Sequence, residues 1–326
     1  MRPLFAARSA ALDGTLEPLL LTRHRARISA WMRERRLPDA WLSGKMVSYH
    51  MGWTDASGNE VRVRTGKLVR PSLCLWACQA MGGEIEWALP AAAAIESFHN
   101  FTLIHDDIQD EDGRRHHRAT VWSLWGVPQA INAGDALQTL AFSAMAEHAR
   151  HPRRMLRAIS ALAQAGLVVI EGQCLDLELE GTQCGGLRDY VRMAAAKTGA
   201  LLGASLETGV LLAGADAATA ARFRRAGRLL GTAFQIRDDW LGAYGDPALT
   251  GKSAQADARR RKMTFPAIAA TRLKSQQVRR KVSDVTRSAA LRYAEMAVFA
   301  LSRTAIEKSA LDEFEEVAYY VATRSQ

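Results

Sequence analysis

The stretch "ESFHNFTLIHDDIQD", Glu96 to Asp110, runs apolar and aromatic residues straight into three aspartates. Asp106 and Asp110 stand four apart and Asp107 three before Asp110, so a helix sets these carboxylates along one edge. Left alone they repel one another. A hard divalent cation relieves that repulsion, and Mg2+ characteristically takes one or two protein carboxylates while leaving places for water and phosphate oxygens. Such a cluster also suits a solvated helix end, but the apolar run before it puts the acids at the mouth of something buried. Just downstream, "GRRHHRATVW" sets Arg and His side chains against the acids, a crowding of opposed charge that calls for a ligand between them.

Working outward, helical periodicity recurs in blocks: Leu16 to Arg35, Pro71 to Met81, Glu86 to Asp110, Pro128 to Arg150, Arg153 to Leu179, Leu187 to Ala213, Ala217 to Leu241 and roughly Phe265 to Lys274. The intervening stretches "TDASGNEVRVRTGK", "EGTQCGG" and "GAYGDPALTGKSAQAD" carry the Gly, Asp, Pro and Ser of loops. With 48% hydrophobic residues and only nine prolines in 326, the expected class is all-α, without substantial sheet.

The formal charge of +9 suits anionic partners but is spread over helix faces. Zinc spacing, aromatic RNA-binding patterns and a clear recognition helix are lacking, which argues against nucleic-acid binding. Cys74, Cys78, Cys174 and Cys184 form no CxxC pair and no disulfide framework, so reduced thiols in a cytoplasmic protein are expected, with Cys74 and Cys78 in the core. The first twenty residues lack the apolar run of a leader. No run is expected to reach the roughly 18 apolar residues of a spanning helix.

A second acidic pair closes another apolar helix in "FQIRDDWLGAYGDP", where Asp238 and Asp239 stand and Gly242 takes the place a third aspartate would hold. Together with "TGKLVRPSL", "INAGDAL", "EGQCLDL", "AAKTGALLGASLETG" and the segment running to "RRRKMTFP", the two acidic motifs resemble those of trans-isoprenyl diphosphate synthases, the polyprenyl synthetase family, in that family's order. The likeness covers about residues 40–270 of what is expected to be a single domain, 1–326. It implies an isoprenoid-synthase helical bundle around a deep central cavity, condensing isopentenyl diphosphate with an allylic diphosphate.

By that resemblance, Asp106, Asp107 and Asp110, with Asp238 and Asp239 opposite, hold Mg2+, three ions once diphosphate is bound. Lys67, Arg70 and His99 hold isopentenyl diphosphate, groups whose donors suit diphosphate oxygens. Arg115, Lys197, Thr198, Gln235, Lys252 and Lys262 serve the allylic diphosphate, while Gln173, Asp176 and Asp257 orient cations and water. His116 stands where the family commonly has a second arginine, and Gly242 is the other departure. Counting back from Asp106, Thr102 lies one turn and Phe98 two turns away, with Phe101 beside them, so these three are expected to set product length, unless Phe101 merely packs. Geranylgeranyl diphosphate is expected, with farnesyl diphosphate next. The resemblance further implies a homodimer. A terpene cyclase would share fold and metal but has no use for Lys67, Arg70 and His99, and a non-catalytic modulating subunit is the other reading that the two departures allow.

Overall fold

The computed structural model describes Phe5 and residues 16–61, 66–180, 186–245, 262–272 and 278–325. Its described elements are helices, apart from one hairpin of two-residue strands. In order they are α1 Leu19–Thr22, α2 Arg25–Glu34, α3 Leu42–His50, α4 Val69–Ala80, α5 Ile85–Gln109, β1 Arg114–Arg115, β2 Arg118–Ala119, α6 Val121–Trp125 and α7 Val127–Glu147. There follow α8 Pro152–Leu179, α9 Leu187–Lys197, α10 Gly199–Ala213, α11 Ala217–Tyr244, α12 Phe265–Arg272, α13 Val278–Leu301 and α14 Lys308–Thr323. The expected block from Leu16 to Arg35 is two helices, α1 and α2, and the block from Leu187 to Ala213 breaks at Thr198.

Two apolar clusters form the core, and α4 and α10 supply residues to both. Leu73 and Trp76 of α4 face one cluster with Leu202 and Leu206 of α10; Cys74, Leu75 and Cys78 face the other with Leu201 and Leu212. A helix apolar all round belongs inside, and α10 is buried along nearly its whole length. Cys74 and Cys78 are core residues as expected, and burial pushes the Cys78 thiol up to about 12. Around this pair, α5 packs on α7, α8 on α10, and α11 between α10 and α13. The C-terminal ends of α5 and α11, each carrying an acidic motif, open on the same cavity.

The absence of a spanning run is corrected by α8. With few charges between Arg157 and Glu171, Pro152–Leu179 is long and apolar enough to cross a membrane by length and composition, and only 33% of its most apolar window is buried. The outer face of α8 exposes Leu156, Leu167 and Ile170.

Candidate active site

A cavity of about 900 Å³ lies between the C-terminal ends of α5 and α11. Asp106 and Asp110 line it, Asp110 as the residue that ends α5. Burial raises the Asp106 carboxyl above its ordinary value, with Lys197 pulling the other way. A carboxylate held at such a cost invites a cation. Lys262 Nζ donates to both Asp110 oxygens, at 3.1 and 3.0 Å, and stands 3.6 Å from Glu180. Lys197 Nζ donates to Asp176 at 2.7 Å. Burial lowers the Lys197 ammonium, but the Asp106 and Asp176 carboxylates outweigh it and leave its pKa raised.

The close approach that delivers Lys197 depends on a glycine. A Cβ on Gly172 of α8 would sit 2.2 Å from the Lys197 amide nitrogen, so a larger residue there would push α9 and α8 apart. One residue on from Gly172, Gln173 donates to Gln109 at 2.7 Å, tying α8 to the turn that carries the first acids.

Asp107 does not share the edge of its neighbours. It is buried away from the large cavity and accepts from Arg115 Nε at 2.8 Å. Consecutive helical residues point about 100° apart, and the three- and four-residue spacings to Asp110 leave Asp107 on the far side of that stripe. Burial pushes its carboxyl up to about 6 against the pull of Arg115. Both residues line a smaller cavity of about 130 Å³ with His50 and His99. His116, in the turn of the hairpin, lines both cavities.

The second acidic pair divides in the same way. Asp238 lines the large cavity and forms an ion pair with Arg324. Asp239, though it touches the cavity, is buried, with one oxygen accepting from the Phe265 amide at 2.9 Å and the other from Gln235 Nε2 at 3.0 Å. Burial pushes its carboxyl up to about 7. Gln235 in turn accepts from Thr198 Oγ1 at 2.6 Å, so Asp239, Gln235 and Thr198 form one chain that fixes the α9–α10 break against α11 and α12. Both Asp239 oxygens are thus engaged within the protein.

Also lining the cavity, Arg70 Nη1 donates to His99 Nε2 at 3.2 Å, and its guanidinium carbon lies 5.8 Å from the ring centre of Phe234, one turn before Asp238. Burial, then the charge of Arg70, holds the imidazole well below its ordinary pKa and hence neutral. Lys67 Nζ lies 5.3 Å from the Tyr320 ring centre. Phe101 and Thr102 line the cavity, and Thr102 Oγ1 donates to the His99 carbonyl at 2.7 Å. Phe98 stands behind Phe101, edge to face at 4.8 Å, without lining the cavity. Lys252 and Asp257 lie outside the described residues.

Sequence reasoning missed Arg324, Tyr320 and Glu180, which sit in no motif; Glu180 at least lies four residues past Asp176, one helical turn on. Among the described residues no three acidic, His or Cys side chains converge to enclose a metal ion. Asp106, Asp110 and Asp238 instead offer oxygen donors around an open cavity, which fits a magnesium ion that completes its shell with diphosphate oxygens and water.

The sequence profile described as polyprenyl synthetase matches residues 53–298. A (2E,6E)-farnesyl diphosphate synthase of Mycobacterium tuberculosis is 43% identical over 222 residues, 68% of this chain and 61% of that enzyme. A geranylgeranyl diphosphate synthase of the same organism is 43% identical over 231 residues, 71% of this chain and 66% of the enzyme. Both matches thus span less than two thirds of the relatives' lengths. Among solved structures, a polyprenyl synthetase from Streptomyces coelicolor superposes with a TM-score of 0.85 at 33% identity, covering 93% of this chain and 98% of the other. A polyprenyl synthase from Caulobacter crescentus, complexed with calcium and isoprenyl diphosphate, gives 0.79 at 27% identity over 94% and 97%.

Proposed function

Since the chain belongs to the polyprenyl synthetase family, we propose that it is a short-chain trans-prenyl diphosphate synthase, adding isopentenyl diphosphate head-to-tail to an allylic diphosphate. One observation carries the reading: a single cavity presents Asp106, Asp110, Lys197 and Lys262 at one place, Lys67, Arg70 and His99 at another, and an apolar wall that includes Phe101. Two anion-binding sites converging on an apolar cavity suit two diphosphates whose hydrocarbon ends must meet. Both mycobacterial relatives are named for a prenyl diphosphate that they synthesise, and a related polyprenyl synthase is complexed with calcium and isoprenyl diphosphate.

Ionising an allylic diphosphate separates a delocalised cation from a leaving pyrophosphate. Magnesium bound by Asp106, Asp110 and Asp238 would supply Lewis-acid charge to that leaving group. Lys197 and Lys262, fixed by Asp176 and Asp110, stand ready to share the diphosphate charge as it develops, with no reorganisation at the moment of reaction. Arg115, Thr198 and Gln235 hold the frame behind them. Arg70 and Lys67 hold the isopentenyl diphosphate, and neutral His99 is kept in register by Arg70. The apolar wall excludes water, so the cation meets the double bond and not a hydroxyl. With both substrates held, an encounter becomes an intramolecular step. Among the described residues facing the cavity, neutral His99 already accepts from Arg70, and the departing pyrophosphate takes the proton. A terpene cyclase would leave the Lys67–Arg70–His99 cluster without a task, and a modulating subunit would have no need of Lys197 at Asp106.

Of the two product lengths, we read geranylgeranyl diphosphate, because Thr102 leaves space beneath Asp106 and Phe101, backed by Phe98, sets the floor. Incubation with isopentenyl diphosphate, Mg2+ and dimethylallyl, geranyl or farnesyl diphosphate in turn, followed by chromatography, decides both points. A twenty-carbon product is expected; a fifteen-carbon one assigns the farnesyl length, and no consumption of any primer removes the function. Phe101→Ala should lengthen the product, while an unchanged product shows that Phe101 only packs.

A further inference from the structure

The cation paired with the second acidic motif lies in none of the sequence motifs. Arg324, past the end of α14, pairs with Asp238. Its guanidinium carbon lies 4.2 Å from the centre of the Phe234 ring, one turn before Asp238 on α11, and the side chain is 8% exposed against 41% for Asp238. The backbone carrying it is clamped from the same helix. Arg237 donates through Nε to the Arg324 carbonyl and through a terminal nitrogen to the Thr323 carbonyl, both at 2.8 Å, and stacks 4.1 Å from the Trp240 ring centre. Consecutive residues of α11 thus do two things: Arg237 fixes the main chain at 323–324, and Asp238 takes the side chain that this clamp delivers.

The second acidic motif has little else to offer. Both Asp239 oxygens are engaged by the Phe265 amide and Gln235, and Gly242 supplies no carboxylate. A single guanidinium on Asp238 therefore neutralises the face of the cavity that a cation would need. On the reading of Asp106, Asp110 and Asp238 as cation ligands, we propose that Arg324 is a resident counter-ion of the second acidic motif, which a divalent cation must displace from Asp238. The side chain can leave while Arg237 keeps its backbone in place, so displacement frees a guanidinium inside the cavity without unfolding the C-terminal helix. The first motif carries a cation of its own, Lys262 on both oxygens of Asp110, so Arg324 is the counter-ion of the second motif alone.

The test is Mn2+ binding to the full chain without substrate, read from the electron paramagnetic resonance signal of free Mn2+. Arg324→Gln should tighten one Mn2+ site about threefold, the scale of a partly exposed ion pair, and adding Asp238→Asn should abolish that gain. Arg324→Lys keeps a cation but loses the fork, so an intermediate affinity is expected; if Arg324→Gln fails to fold by circular dichroism, the lysine variant decides. Mn2+ affinity unchanged or weakened in the folded Arg324 variants overturns the proposal. Asp106→Asn separates this from the underlying reading: if it leaves all Mn2+ binding intact, the cation assignment fails, whereas loss of binding there with no effect at Arg324 sinks only the counter-ion.

Discussion

Asp106 and Asp107 are adjacent in sequence and face different neighbours, which makes them a test of what each carboxylate is for. Asp106 lines the large cavity with its carboxyl raised by burial, an arrangement that costs stability in the absence of a ligand. Asp107 is buried against Arg115, whose Nε and Nη2 both lie 2.8 Å from its Oδ1. Removing one partner of a buried pair strands the other. Asp106→Asn should therefore leave the thermal midpoint unchanged or raised while turnover falls by about 10²–10³, the scale of a lost charge-stabilising group. Asp107→Asn should instead destabilise the fold, by about 3 kcal/mol, in a denaturant titration. Equal stability losses in both variants would put Asp106 in the frame rather than at the chemistry. The sequence showed three acids and their helix; it did not show that Asp107 turns inward, because that depends on Arg115 folding back from the hairpin eight residues on.

At the scale of elements, the long helices were legible wherever one face is apolar over several turns, as in α5, α8 and α11. Short α3 was not, since Leu42–His50 is half polar and begins with an exposed Trp41 and Leu42. Its role explains its presence: Tyr49 donates to the Ala119 carbonyl at 2.9 Å, and Arg118 donates to the Tyr49 and Thr54 carbonyls at 3.0 and 3.1 Å while lying over the Tyr49 ring. α3 thereby anchors the hairpin that brings Arg115 and His116 to the site. The hairpin turn itself is strained. His116 and His117 both adopt left-handed backbone, at φ 49° and 64°, a conformation that tight two-residue turns demand and that glycine adopts without cost. His117→Gly should stabilise the chain by about 0.5 kcal/mol, the left-handed penalty less the glycine entropy, without changing the KM for isopentenyl diphosphate. A rise in that KM would mean that His117, and not only His116, reaches the substrate. The break between α9 and α10 was hidden for another reason: "KTGA" reads as continuous helix, and only the Thr198–Gln235–Asp239 chain, spanning forty residues, stops it there.

For the whole molecule, the outer faces of α7 and α8 require an explanation that the rest of the surface does not. Leu156, Leu167, Ile170 and Leu177 recur on α8 at helical spacing, and Val127 and Ile131 stand exposed on α7, each at least 37% accessible. Contiguous apolar surface rimmed by charge marks an interaction site, and spacings of three and four residues along α8 suit packing against another helix. We propose that a second copy of the chain covers this face. Its continuity with the site supports that choice over a membrane, for Ile170, Cys174 and Leu177 belong both to the exposed stripe and to the lining of the large cavity. A second copy seated there would also seal the cavity wall against water, which a carbocation requires. Leu167 lies on the stripe but not on the cavity, so Leu167→Glu tests the assembly without touching substrate. Sedimentation should show a dimer for the parent chain and a monomer for the variant, and the variant should release more of the allylic substrate as its hydrolysed alcohol, because water now reaches the cation. A parent chain that sediments as a monomer rules the second copy out, and flotation of that monomer with lipid vesicles would assign the same face to a bilayer.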